Sequence, residues 1–233
     1  MTYAMSDIHG EYEKYRAMLK KIRFSKDDTL YVLGDVVDRG PQPAEVLRDM
    51  MARENVYPIL GNHDIVALDL LGELLVEITE ENCETHLSAE LLEKIMDWQA
   101  DGGSSTMKGF QALEPEARAD LLDYMRDFAL YEAVDVGERT FVLVHAGLQN
   151  FDERRPLSSY RAEELVLGRQ DLSRRLYADP AIYVVRGHTP TQLIHGEARI
   201  YREANNICID CGASYPQGRL ACLCLDTMEE FYI

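Results

Sequence analysis

Several side chains in this sequence have the types and the spacing to work on phosphate together. Asp7 and His9 sit in Asp7-Ile8-His9-Gly10. Asp35, Asp38 and Arg39 sit in Gly34-Asp35-Val36-Val37-Asp38-Arg39-Gly40, and Asn62 and His63 in Gly61-Asn62-His63-Asp64. His145-Ala146-Gly147-Leu148 and Gly187-His188-Thr189-Pro190 follow further along. Carboxylate, imidazole and carboxamide groups are hard or borderline donors suited to manganese, with iron and zinc as alternatives, and a carboxylate can bridge two cations. Asp7 and His9, one residue apart in a loop, can face one cation, while Asn62, His145 and His188 remain for a second and Asp35 is the natural bridge. Two divalent ions about 3.5–4 Å apart can activate a shared water and clamp the attacking and leaving oxygens of an in-line displacement at phosphorus. The expected chemistry is metal-dependent hydrolysis of a phosphate ester. Arg39 adds a planar fork that suits two phosphate oxygens at once.

Each of these groups comes directly after a short apolar run with the length of a β-strand. Such runs occur at residues 3–5, 30–33, 56–60, 141–144, 182–185, 207–209 and 220–225. Between the second and third, the segment from Pro43 to Met51 starts with Pro at a first-turn position and repeats Val46, Leu47, Met50 and Met51 at helical spacing. From about residue 65 to 135 the pattern reads as an almost wholly helical insertion, with Leu70, Leu71, Leu74, Leu75 and Ile78 on one face. Ser88 is the expected cap before Leu91, Leu92, Ile95 and Met96. The fold class is α/β, with ligands in loops outside the carboxyl ends of strands, where open α/β sheets place their sites. Because those loops come from both halves of the chain, a single domain over residues 1–233 is expected.

Composition narrows the partners. The chain has 233 residues, 46% of them hydrophobic, enough for one sizeable core. Its net charge of −17 opposes binding to nucleic acid or to an anionic membrane. No run approaches the roughly 20 apolar residues that span a bilayer, and a strand-like run near the start leaves no room for a signal peptide. A cytoplasmic location is expected. The stretch from 65 to 135 holds 17 acidic and 4 basic residues, so most of the excess charge is there. Asp69, Glu73 and Glu77 read as its solvated outer face. Of the five cysteines, Cys208-x-x-Cys211 and Cys222-x-Cys224 have half-site spacing for zinc but lie in apolar runs, so buried thiols are the preferred reading, and Cys83 stands alone. His86 and His195 match no motif and read as surface residues.

In their order along the chain, Asp-x-His-Gly, Gly-Asp-x-x-Asp-Arg-Gly, Gly-Asn-His, His-Ala-Gly-Leu and Gly-His-Thr-Pro resemble the calcineurin-like metallophosphoesterases. Within them they are most similar to the phosphoprotein phosphatase family with its bacterial and phage members. The resemblance runs from Tyr3 to about Thr227 and implies a four-layer α-β-β-α sandwich. It implies that Asp7, His9 and Asp35 bind one metal and that Asp35, Asn62, His145 and His188 bind the other. It also implies that His63 is the general acid, oriented and kept protonated by Asp38, and that Asn62 and His63 reach the substrate phosphate beside Arg39. Arg169, in Val166-Leu167-Gly168-Arg169, falls where bacterial and phage relatives carry a second phosphate-binding Arg.

On this resemblance the expected function is a serine/threonine protein phosphatase whose partner is a phosphorylated protein or peptide. The alternative is a symmetrical dinucleoside tetraphosphate hydrolase. Asp64 speaks for the alternative, since protein phosphatases of the family usually carry Glu there. Asp38-Arg39-Gly40 and the segment from Trp98 to Thr106, similar to Trp-x-x-Asn-Gly-Gly, speak for a protein substrate. Ile209-Asp210-Cys211-Gly212-Ala213 is similar to the family's Ile-Asp-Thr-Gly-Ala. A nucleotide enzyme should offer extra cations near the metals, for which Arg154, Arg155, Arg161, Arg174 and Arg175 are candidates. A catalytically silent phospho-binding module is disfavoured because no ligand or acid position is missing.

Overall fold

The computed structural model of the protein describes every residue except 77, 78, 80, 81, 83–87 and 170. The expectations placed on Glu77, Ile78, Cys83 and His86 lie outside the described residues. Two five-stranded sheets pack face to face. In the first, β1 (Thr2–Met5), β2 (Thr29–Leu33) and β3 (Val56–Ile59) are parallel, and β9 (Ala221–Cys224) and β10 (Glu230–Tyr232) extend it antiparallel in the order β10-β9-β1-β2-β3. The second joins β4 (Tyr131–Val136), β5 (Arg139–Val144), β6 (Ile182–Arg186), β7 (Tyr201–Glu203) and β8 (Asn206–Cys208) in the order β4-β5-β6-β8-β7, with β5, β6 and β8 parallel.

The central strands read as apolar runs because both their faces are buried. Ala4, Leu33 and Ile59 point between the sheets, where they meet Phe141, Leu143, Val185 and Ile207. On the other side of the first sheet, Tyr3, Met5, Leu30 and Val32 lie in a second cluster with helix residues. Helix α1 (Tyr12–Lys21) brings Tyr15, Met18 and Leu19 to it, and α2 (Pro43–Met51) brings Val46, Leu47 and Met50. The outer face of the second sheet, Val142, Val144 and Val184, packs on Leu165 and Val166 of the short α7 (Ala162–Val166) and on Tyr160 and Leu176 from loops. The result is the expected four-layer sandwich, though one outer layer is largely loop.

The expected insertion begins in α3 (Asn62–Glu73) and continues through α4 (Ala89–Trp98), a π-helical turn over Gln99–Gly103, α5 (Ser104–Gln111) and α6 (Pro115–Arg126). Ser88 caps α4, its hydroxyl accepting from the Leu91 amide at 3.1 Å. Only part of each expected apolar face is covered: Leu70, Leu71, Leu91 and Ile95 pack on the core, whereas Leu74, Leu75, Leu92, Met96 and also Met51 are exposed. Residues 131–135 are not helical. They belong to β4, an edge strand whose glutamate and aspartate belong to a half-solvated ribbon, a pattern that a helical reading absorbs because the whole stretch is acidic. Four cysteines, Cys208, Cys211, Cys222 and Cys224, are buried thiols. Among the described residues no helix is long and apolar enough to cross a membrane.

Register decides where the loops start. Met5 stands opposite Val32, Leu33 opposite Ile59 and Leu143 opposite Val185. The carboxyl ends of β1, β2 and β3 are therefore level, as are those of β5 and β6.

Candidate metal centre

Asp7 and His9 follow β1, Asp35, Asp38 and Arg39 follow β2, Asn62 and His63 open α3 after β3, His145 follows β5, and His188 follows β6. The structure brings these residues to one edge of the sandwich. Ligand atoms of His9, Asp35 and His63 lie within 4.8 Å of one another, and so do those of Asp35, His145 and His188. Asp35 is common to both groups. Asn62 joins the second, its Oδ1 being 3.0 Å from His145 Nε2 and 2.8 Å from His188 Nδ1. The Asp7 carboxylate stands outside both groups and accepts from the Ser6 hydroxyl and from the His188 amide at 3.0 Å.

The loops are bent hard to achieve this. Asp7, His9, Asp35, Asp38, Arg39 and His188 all have φ between 45° and 69°, a region that costs an L-residue about 1–2 kcal/mol. Asp64 holds part of that bend. Its buried carboxylate accepts from the amides of Asp35 (2.8 Å), Val36 (2.9 Å), Val37 (3.3 Å) and Gly61 (3.0 Å). Burial and the nearby Asp35 charge push its pKa up to about 6. The residue that distinguishes lineages at the sequence level thus faces backbone, not substrate.

Tautomers follow from partners. His9 Nδ1 donates to the Val37 carbonyl and His145 Nδ1 to the Leu33 carbonyl, each at 2.8 Å. Each ring therefore turns a lone pair on Nε2 inward, as metal-binding imidazoles do. Burial holds His145 and His188 down to about 4, keeping them neutral. Burial raises the pKa of Asp7, with Asp210 and Asp35 adding their charge, and burial raises Asp35 as well. Buried carboxylates crowded beside neutral imidazoles form a donor set that fits cations.

His63 differs from the other histidines. Burial opposes its charged form, but the hydrogen bond to Asp38 and the charge of Asp35 outweigh burial and hold its pKa above the usual value. His63 Nδ1 meets Asp38 Oδ2 at 2.8 Å. Two residues of the helical insertion bind the same carboxylate: Trp98 Nε1 donates to Oδ2 at 3.0 Å and Thr106 Oγ1 to Oδ1 at 2.6 Å. Gly103 lets the indole lie flat, since a Cβ there would fall 2.3 Å from the Trp98 ring. Gly102, at φ 111°, accepts from the Arg39 amide at 3.0 Å. Arg39 spans the site, its Nη1 donating to His9 Nε2 and its Nη2 to His63 Nε2, both at 2.9 Å. Arg169 is exposed and its charge reaches His188.

The other arginine candidates lie elsewhere. Arg154 pairs with Asp152, and Arg155 and Arg161 pair with Glu164. Arg174 and Arg175 are exposed, and none of the five lines a cavity beside the site. His195 is exposed and stacks on Tyr201. Sequence reading missed what Trp98, Thr106 and Asp64 do. It also gave no role to Asp210, which is buried near Asp7 and pushed up to about 7 by burial.

Residues 2–212 match the family model described as calcineurin-like phosphoesterase. The chain belongs to that family. Among curated proteins it resembles the symmetrical bis(5'-nucleosyl)-tetraphosphatases of Hamiltonella defensa subsp. Acyrthosiphon pisum, 33% identical over 98 residues, and of Shewanella loihica, 36% identical over 99. The matched stretches cover 41% and 42% of this chain and 36% of each relative, so the chain spans about a third of those proteins. A solved structure described only provisionally as a diadenosine tetraphosphatase superposes with TM-score 0.66 at 19% identity, covering all of this chain and 92% of that one. A Saccharomyces cerevisiae protein serine/threonine phosphatase superposes with TM-score 0.51 at 13% identity over 95% of this chain and 71% of its own. At such identities both show the shared fold alone.

The curated names correct one expectation. A phosphorylated protein or peptide was expected as partner, whereas these relatives are named for a small dinucleoside tetraphosphate. The physical reason lies in the residues that carried the expectation. Trp98, Thr106 and the glycines between them serve Asp38 and Arg39, groups that act on a phosphoryl group whatever ester or anhydride carries it, so they do not tell one substrate from another.

Proposed function

We propose that this protein is a metal-dependent hydrolase that splits a dinucleoside tetraphosphate symmetrically into two nucleoside diphosphates. The observation that carries the reading is the pair of ligand groups sharing Asp35 at the strand ends. The likeness to tetraphosphatases along 41–42% of the chain directs the choice of substrate.

In this reading His9 and Asp35 would hold one divalent cation, with Asp7 completing the set in place of His63 once its carboxylate turns from Ser6, and Asp35, Asn62, His145 and His188 would hold the other, with manganese preferred for this mixed oxygen and nitrogen set. When bound, the cations supply Lewis-acid polarisation of the phosphoryl oxygens and lower the pKa of water. The residues do the rest. Arg39 offers its fork to two oxygens of the phosphoryl group under attack, and Arg169, exposed on the His188 side, reaches the outer phosphates. Water oxygen bonds to phosphorus as the central bridging P–O bond breaks. Once Arg39 turns from His63 Nε2 to the phosphoryl oxygens, His63 can carry a proton on Nε2 and give it to the departing diphosphate oxygen, while Asp38 accepts from Nδ1 and stabilises the imidazolium. Water supplies the new oxygen on one product and, by way of the bulk, returns the proton to His63.

Product analysis tests the reading. Diadenosine tetraphosphate incubated with the manganese-loaded protein should give ADP as the sole nucleotide. AMP with ATP, or no turnover, would overturn it.

A further inference from the structure

One cavity adjoins the metal centre and a second lies near Arg39, and their chemistry is opposite. The first, about 530 Å³, opens beside Asn62, His63 and Trp98 and is walled by Asp69, Asp97 and Asp101 with one lysine, Lys94. The second, about 420 Å³, is walled by Pro190, Gln192, Leu193, Tyr215, Pro216 and Gln217, and has no charged residue. Leu193 is 78% exposed and Tyr215 46%, so an apolar wall and an aromatic face stand open to solvent. Two of its wall residues approach the phosphate end of the site. Pro190 lies two residues beyond His188, and the Tyr215 ring centroid is 5.9 Å from the Arg39 guanidinium carbon.

We propose that the cavity between Pro190 and Tyr215 is a nucleobase subsite, with the base against Tyr215 and Leu193 and the phosphates leading back to Arg39. The proposal rests on the dinucleotide reading above and names where one nucleoside sits. An apolar cavity with a few polar groups is the usual form of a small-molecule site, and bases of any sequence stack on aromatic rings. Gln192 supplies polarity. Its Nε2 donates to the Cys211 carbonyl at 3.0 Å, so the side chain is held in place as part of the wall against which a base can lie. The acidic cavity is the poorer choice because three carboxylates would face a polyphosphate chain.

Binding, rather than turnover, separates this claim from the hydrolysis reading. Calorimetry on the manganese-loaded protein would compare ADP with inorganic pyrophosphate, for wild type, Tyr215→Ala and Tyr215→Phe. The subsite requires Tyr215→Ala to weaken ADP binding about tenfold, Tyr215→Phe to retain most of it, and pyrophosphate, which has no base, to bind all three alike. Equal ADP affinity in wild type and Tyr215→Ala overturns the subsite whatever the enzyme cleaves, as does an equal loss of ADP and pyrophosphate. If wild type fails to cleave diadenosine tetraphosphate yet shows the tenfold ADP difference, the subsite stands and the hydrolysis reading falls.

Discussion

Asp38 accepts from His63, Trp98 and Thr106 at once, and has no exposure to water. A carboxylate so fixed can hold one orientation of His63 and nothing else. If His63 protonates the leaving oxygen, His63→Asn should cut turnover of an alkyl phosphate by roughly 100- to 10,000-fold. It should cost a phosphoanhydride much less, because the departing phosphate oxygen is a far weaker base, with a second pKa of about 6. Equal losses on both substrates would remove the acid role. Trp98→Phe keeps the ring on Gly103 and drops one donor to Asp38, so alkyl-ester turnover should fall about tenfold or less while the anhydride rate and metal content hold. The motif order made His63 and Asp38 legible. The helpers were not legible, since Trp98 and Thr106 lie 60 and 68 residues away and meet Asp38 only through a π-helical turn.

The loop after β2 has to point Asp35, Asp38 and Arg39 into one space, and Asp64 is the pin that lets it. Removing that carboxylate leaves buried amides of Asp35, Val36 and Gly61 without acceptors. At about 1–3 kcal/mol for each orphaned group, Asp64→Ala should cost on the order of 3–5 kcal/mol in a urea titration. A loss under 1 kcal/mol would show that the loop holds itself. The parallel strands were readable as apolar runs because both faces are buried, and α2 was readable from its Pro and its helical spacing. β4 was not readable, because an edge strand with one wet face in an acidic stretch imitates a surface helix. β7 and β10, three residues each, are too short to show a period.

The helical insertion carries most of the molecule's excess negative charge and packs Trp98, Gly102 and Thr106 against the site at the strand ends. The molecule's α/β class followed from the strand runs and the loops after them, and its four-layer build from the family resemblance. The substrate did not, because the proposed two cations and arginine fork would read a phosphoryl group alone and leave the rest to cavities assembled from distant residues such as Pro190 and Tyr215. Cations that bind only the folded chain stabilise it by mass action, about 2.7 kcal/mol at 100 times Kd. Chelation should therefore lower Tm by about 5–10 °C for a chain of this size, and an unchanged Tm would argue against a resident metal. The most direct test is the number of divalent ions bound per chain, measured by elemental analysis after manganese loading and desalting. The shared role of Asp35 predicts two ions in the wild type and loss of both sites' tight binding in Asp35→Asn. A single ion in the wild type, or two retained without Asp35, would contradict the dinuclear centre.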